Sequence, residues 1–147
     1  MSALFAFLHH AAAFTLVAAL VAEHAVFSPH LELAQARRLV RLDAVYGAAA
    51  GLLLAVGLAR VLFVEKGADY YFGNPYFLAK LGLFLGAGLV SIYPTVVYLS
   101  WRRGLRAGKV PELDPAVARR IPRLIRVQLA LIAGAVLCAP LMAKGFA

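Results

Sequence analysis

Residues 3–27, ALFAFLHHAAAFTLVAALVAEHAVF, form a stretch long and apolar enough to cross a lipid bilayer as one α-helix. Such a crossing takes about 20 mainly apolar residues. Three more stretches of this kind follow, at about residues 43–64, 76–101 and 123–143. Backbone groups in lipid must pair within their own segment, which favours helices over strands. The sequence therefore predicts an all-α integral membrane four-helix bundle, with residues 1–147 as a single four-span domain.

The composition supports a membrane protein and argues against several other classes. Of the 147 residues, 63% are hydrophobic, whereas about 45–50% is usual in soluble domains. The net charge of +8 does not indicate nucleic-acid binding, because the basic residues flank the apolar stretches. Cys138 is the single cysteine, which excludes an internal disulfide. P-loop, H-E-x-x-H, C-x-x-C and G-x-S-x-G motifs are absent, so the enzyme classes that they define find no support.

Basic residues predict the orientation of the bundle. Arginine and lysine crowd the connections after the first and third spans: Arg37, Arg38, Arg41, Arg102, Arg103, Arg106, Lys109, Arg119 and Arg120. The connection after the second span offers only Lys66. The positive-inside rule then places both termini outside, in a multi-pass protein of the bacterial inner (cytoplasmic) membrane. Anionic headgroups attract such arginines, so membrane lipids are expected partners.

Other local patterns concern packing and helix ends. Gly47-x-x-x-Gly51 and Gly82-x-x-x-Gly86 are small-xxx-small faces, for which we expect packing within one bundle, with association into a homo-oligomer as the alternative. Residues 31–42 are amphipathic and are expected to extend the second span into water. Asp114-Pro115 resembles an N-cap followed by proline at the first helical position. It is expected to open a short basic helix that Pro122 interrupts.

Ionisable residues inside the apolar stretches are the main functional signal, because the bilayer penalises each by about 2.5–3.5 kcal/mol. One layer, in the outer half of the bundle, holds His9, His10, Arg60, Lys80 and Met142. Neutral histidine binds haem iron, sometimes with methionine as the second axial ligand. The two cations suit haem propionates. The alternative is that both cations reach the interface by snorkelling and that Met142 belongs to the core.

A second layer, in the inner half, holds Glu23, His24 and Asp43. Carboxylates and histidines inside spans often relay protons, so these three are candidates for a proton path. The alternative is an interfacial salt-bridge network with Arg37, Arg38 and Arg41.

The two layers are linked by the spacing of His10 and His24, which are 14 residues apart, roughly 21 Å along one helix and on nearly the same face. Cytochrome b bundles space two haem-ligating histidines similarly. The other spans contain no histidine to complete such sites. A single haem, or a haem shared between subunits, is the form that the sequence allows.

Three short segments carry a resemblance: Ala6-Phe7-Leu8-His9-His10, Arg60, and Phe77-Leu78-Ala79-Lys80-Leu81. The chain resembles a bacterial family of uncharacterised four-helix predicted membrane proteins. It is more distantly similar to HemJ-type protoporphyrinogen oxidases and CopD-like membrane proteins. The HemJ resemblance implies haem b on His10 (or His9), with Arg60 and Lys80 at matching positions, and oxidation of protoporphyrinogen IX. Phe77 stands where those enzymes have tryptophan.

The function expected from the sequence is binding of haem b or a related tetrapyrrole in the outer half of the bundle. His10 would be the iron ligand, with Arg60 and Lys80 as carboxylate partners, in an electron-transferring or porphyrinogen-oxidising membrane oxidoreductase. The first alternative is a proton-coupled transport or permeation protein. The second is a non-catalytic subunit of a membrane complex.

Overall fold

Four long helices make up the computed structural model, which describes residues 2–59, 62 and 73–143, with residues 2 and 139–143 described by backbone only. They are α1 (Ser2–Val26), α2 (Leu33–Ala59), α3 (Pro75–Arg106) and α4 (Pro115–Ala143). Each is long and apolar enough to cross a membrane. The all-α, four-span prediction is confirmed.

The helix ends follow the local sequence. Asn74 caps α3, where its Oδ1 accepts hydrogen bonds from the backbone N–H groups of Tyr76 (2.9 Å) and Phe77 (3.4 Å). Asp114 caps α4 in the same way, accepting from the N–H of Ala116 at 2.9 Å. These bonds satisfy N–H groups that the first turn of a helix leaves unpaired. Gly108 follows α3 with a φ of 75°, the left-handed conformation that ends many helices.

Two predicted boundaries can be compared with the structure. The amphipathic extension of the second span is confirmed, because α2 begins at Leu33. The interruption at Pro122 is wrong, because α4 continues from Pro115 to Ala143. Ile121 and Ile125, on either side of this proline, are fully buried. Their packing stabilises the helix at Pro122, where the missing N–H of proline leaves one backbone hydrogen bond unmade.

The bundle consists of two helical hairpins. Contacts are most extensive between α1 and α2 and between α3 and α4, and the hairpins meet through α2 with α3 and α1 with α4. One end carries Arg37, Arg41, Arg102 and Arg106 around a single cleft. We call this end the basic end.

Apolar side chains also cover the outside of the bundle. Phe7, Phe14 and Leu89 are each about two-thirds exposed or more, in a surface that suits lipid rather than water. In contrast, Tyr98 and Trp101 are buried against each other, with ring centroids 5.2 Å apart. These two aromatic residues belong to the core of the bundle.

The small-residue faces do not all pack within the bundle. A Cβ built at Gly47, Gly51 or Gly82 would meet no atom within 4 Å. At Gly86 it would lie 3.7 Å from Leu131 of α4. The expectation of intramolecular packing is therefore wrong for the first three glycines. They lie on surfaces that face away from the neighbouring helices.

Candidate functional site

Two contacts fix the antiparallel alignment of α1 and α2. The carboxyl group of Glu23 lies within hydrogen-bonding distance of that of Asp43. Farther from the basic end, the ring of His9 lies against Gly57, where a Cβ would be 3.6 Å from its Cε1 atom. The residues of each helix in these contacts are 14 positions apart, roughly 21 Å along the axis. Glu23 and His9 therefore share the face of α1 that packs on α2.

The Glu23–Asp43 carboxyl pair is the most buried charged feature among the described residues. Glu23 is 1% exposed and Asp43 is 8% exposed. The side chain of Thr95 on α3 lies close to Asp43 as well. A carboxylate can only accept hydrogen bonds, so two neighbouring carboxyl groups can bond to each other only when one of them carries a proton. The arrangement is therefore a site that can hold a shared proton.

Helical spacing brings a second polar pair to the same interface. Tyr46 follows Asp43 by three residues on α2, and Ser91 precedes Thr95 by four on α3. Residues three or four apart lie on one face of a helix. Tyr46 lies close to Ser91, as Asp43 does to Thr95. The two close pairs form a short polar ladder between α2 and α3, leading from the carboxyl pair away from the basic end.

Three buried polar atoms have no hydrogen-bond partner within the described part of the chain: Glu23 Oε1, Tyr98 Oη and Gln128 Oε1. Tyr98 lies close enough to both carboxyl groups to interact with them electrostatically. Gln128 is 1% exposed, in the buried stripe of α4 that also contains Ile125 and Ile132. Buried polar atoms of this kind are rare and usually bind water or a ligand.

The arginines of the basic end are not the partners of these acids. Arg37 instead donates from Nη2 to the backbone carbonyl oxygen of Leu105, at 3.0 Å. Arg38 and Arg41 are exposed. Among the described residues, Glu23 and Asp43 make no ion pair with an arginine, and the predicted salt-bridge network is not formed.

The histidines divide between the two sides of α1. His9 packs towards α2, as described above, whereas His10 is exposed and its Nδ1 lies 2.7 Å from the carbonyl oxygen of Ala6. Because that oxygen only accepts, Nδ1 must be the protonated nitrogen. His24 is exposed as well. The predicted proton-path residues thus separate: Glu23 and Asp43 come together, and His24 faces outward.

The rest of the outer layer is described only in part. Lys80 lies near the beginning of α3 and is half-buried. Arg60 lies outside the described residues, and so does the side chain of Met142. Within the described part of the chain, no group of three or more histidine, cysteine or acidic side chains is arranged to hold a metal ion.

Sequence reasoning missed several members of the polar site. Thr95 and Ser91 are common residues in membrane helices, and nothing in their local sequence sets them apart. Gln128 did carry a signal: it is the polar member of the helical pattern Ile121, Ile125, Gln128, Ile132. A single amide in an otherwise apolar stripe indicates a polar partner in the bundle.

Comparison with known proteins gives a family without an assigned activity. The chain belongs to the family described as "Predicted membrane protein (DUF2214)", which matches residues 1–147. No curated protein and no solved structure matches it. The distant HemJ and CopD resemblance stays a prediction.

Proposed function

We propose that this protein binds and releases protons inside the membrane, in a proton-coupled transport or permeation function, and that the Glu23–Asp43 pair is its protonation site. One observation carries the proposal: two buried carboxyl groups lie within hydrogen-bonding distance of each other inside apolar spans. The proposed location is the bacterial inner membrane, with the basic end in the cytoplasm.

The physical argument starts from the cost of placing an acid in a membrane. Ionisable residues there are expensive and usually mark an ion or proton pathway. Leucine at both positions would fill the core and stabilise the fold better than two buried acids do. Two carboxyl groups in contact hold a first proton tightly, because two negative charges repel at short distance. Gain and loss of that proton is the chemistry that such a pair supports.

The surrounding groups supply the continuation of a path. Hydroxyl groups both donate and accept hydrogen bonds, and those of Thr95, Ser91 and Tyr46 follow one another along α2 and α3. Four spans are few for a carrier, so the proposal includes association of subunits. The exposed Gly47 and Gly51 allow close approach of a second helix.

Proton flux into liposomes tests this function. The purified protein is reconstituted with a pH-sensitive dye trapped inside, and a potassium gradient with valinomycin drives proton entry. We expect flux with the wild-type protein and a fall to the rate of protein-free vesicles for Glu23→Gln and Asp43→Asn. Glu32→Gln is the matched control, because Glu32 is an exposed acid in the connection before α2. Wild-type flux equal to that of empty vesicles would exclude proton permeation.

Infrared spectroscopy tests the shared proton without requiring transport. A protonated carboxyl group has a carbonyl stretching band separate from the amide and carboxylate bands, and this band shifts in D₂O. We expect one such band at neutral pH in the wild-type protein and its loss in Glu23→Gln. Because the glutamine amide can still donate to Asp43, the fold is expected to be retained. If the wild type shows no such band, the pair does not hold a proton.

Haem binding by His10 is a second candidate, and the tautomer of His10 favours it. With Nδ1 donating to the carbonyl of Ala6, the other ring nitrogen, Nε2, keeps its lone pair. Haem- and metal-binding histidines typically have their second nitrogen held in this way. Since His10 is exposed, a haem that it bound would lie on the surface of the bundle or between subunits. His9, packed on Gly57, would remain part of the interior.

A visible spectrum of the detergent-purified protein, oxidised and reduced, tests this candidate. Haem binding predicts a Soret band with sharpened reduced α and β bands. His10→Ala would remove the bands, and His24→Ala, the matched exposed histidine on the same helix, would not. A featureless spectrum after haem is supplied during expression would exclude haem binding.

A further inference from the structure

A cleft of about 390 Å³ opens between α2 and α3 at the basic end. It is lined by Arg37, Val40, Arg41, Arg102, Leu105 and Arg106. Two arginines come from the first turns of α2 and two from the last turns of α3. The cleft therefore gathers four positive charges from two different helices.

These charges have no acidic partner within the part of the chain that the structure describes. Among the described residues, no carboxylate pairs with any of the four arginines, and none lines the cleft. Arg37 is held by its hydrogen bond to the carbonyl oxygen of Leu105, which ties α2 to the end of α3. Arg41, Arg102 and Arg106 are exposed. Four like charges brought together without an acid favour an anionic ligand.

Helix and topology effects explain only part of this arrangement. Basic residues in the last turn of α3 interact favourably with the negative end of the helix dipole. The positive-inside rule explains why the end is basic. Neither effect accounts for the convergence of Arg37 and Arg41, from the beginning of α2, on the same cleft.

The chemistry of the lining indicates a phosphate group. Guanidinium groups offer paired N–H donors that match two phosphate oxygens. Val40 and Leu105 add apolar surface between the arginines. The cleft lies at one end of two candidate spans, α2 and α3, which places it near the membrane surface. We propose that this cleft binds the phosphate headgroup of an anionic phospholipid, a site separate from the carboxyl pair and independent of its function.

Native mass spectrometry of the full chain in detergent tests the site. Phosphatidylglycerol and phosphatidylcholine are added at equal concentrations, and the fraction of protein carrying one lipid is measured. We expect the wild type to prefer phosphatidylglycerol. Arg41→Gln combined with Arg102→Gln is expected to weaken that binding by about tenfold or more, because two arginines are removed and the loss of one charge-assisted hydrogen bond alone would weaken it about tenfold. Arg37 is left unchanged because it supports the fold.

Arg119→Gln combined with Arg123→Gln is the matched control. Both arginines are exposed on α4, outside the cleft, and the change removes the same charge. We expect this variant to bind phosphatidylglycerol as the wild type does. An equal loss in both double variants would show a general charge effect and overturn the site. So would a wild type without preference between the two lipids.

Two further measurements ask whether the paired donors of arginine are needed and whether the ligand is a lipid or a soluble phosphate. Arg41→Lys with Arg102→Lys keeps the charge but removes the paired donors, and is expected to bind the lipid less tightly than the wild type. Inorganic phosphate is added alone in the second arm. Retention of phosphate by a protein that does not retain phosphatidylglycerol would identify a soluble ligand and overturn the lipid assignment.

Discussion

The two sides of α1 carry similar residues at the same spacing and have different surroundings. On the inner side, His9 packs on Gly57 and Glu23 lies within hydrogen-bonding distance of Asp43. On the outer side, His10 and His24 are both exposed. Each pair is 14 residues apart. A step of one residue turns a helix by about 100°, and this rotation alone decides which pair enters the bundle.

The comparison teaches that the same helix presents two different chemistries. On the inner side, the carboxyl group of Glu23 has neighbours on α2 and α3 that fix its position. On the outer side, an exposed histidine has neighbours only on its own helix, and anything else that it contacts would be lipid or a second subunit. Proton binding by a hydrogen-bonded pair belongs to the first side. Ligation of a large planar cofactor, if it occurs through His10, belongs to the second.

Removal of Glu23 is expected to have the largest effect on stability. Glu23→Ala empties space at a fully buried position and takes away the hydrogen bond to Asp43, at a cost of about 2–4 kcal/mol. His24→Ala changes an exposed side chain one residue away and is expected to stay within about 0.5 kcal/mol. Unfolding in mixed detergent micelles, followed by circular dichroism, measures both variants.

A third variant separates the cavity from the acid. Glu23→Leu fills the space with an apolar side chain and is expected to recover most of the lost stability, while proton flux stays absent. Equal stability losses for the Glu23 and His24 alanine variants would mean that the two sides of α1 are not as different as the packing indicates.

Enlarging Gly57 is expected to have the next largest effect. A Cβ there lies at ordinary contact distance from His9, so alanine fits, whereas the longer side chain of Gly57→Leu must displace the ring. Overpacking of this kind costs about 1–3 kcal/mol. Gly88→Leu is the control, because a Cβ at that exposed glycine meets nothing within 4 Å. The same unfolding assay applies, and a neutral Gly57→Leu would contradict the inward orientation of His9.

The four spans could be predicted from the sequence because the length of an apolar stretch is a property of that segment alone. It also identified Glu23 and Asp43 as members of one layer, since their depths follow from counting residues. It left two interpretations of this layer open, a proton path and a salt-bridge network with arginines, because charge and proximity in sequence favour the second pairing. The structure gives Asp43 a different set of partners, Glu23 and Thr95, from two other helices.

The sequence of α1 did not indicate which side of the helix faces the core. Apolar residues surround the helix on all sides, as expected for a span in lipid, so no polar face indicates the direction of the core. The positions of the glycines did not indicate the packed side of a helix either. A Cβ at Gly57 would contact a ring on the neighbouring helix, whereas a Cβ at Gly47 would meet nothing within 4 Å, and the two glycines look alike in the sequence.

The smallest expected effect compares the two adjacent histidines. His9→Ala removes a half-buried ring from the α1–α2 contact and is expected to cost about 1 kcal/mol. His10→Ala removes an exposed ring and puts the best helix former in its place, so its effect is expected within about 0.5 kcal/mol. Repeating the unfolding assay on protein produced with added haem sharpens the test. A ligand that binds only the folded state stabilises it, so haem on His10 would make His10→Ala the more costly change in that preparation alone. An unchanged order of the two variants, with and without haem, would leave His10 as an exposed lipid-facing residue and keep the chemistry of α1 on its inner side.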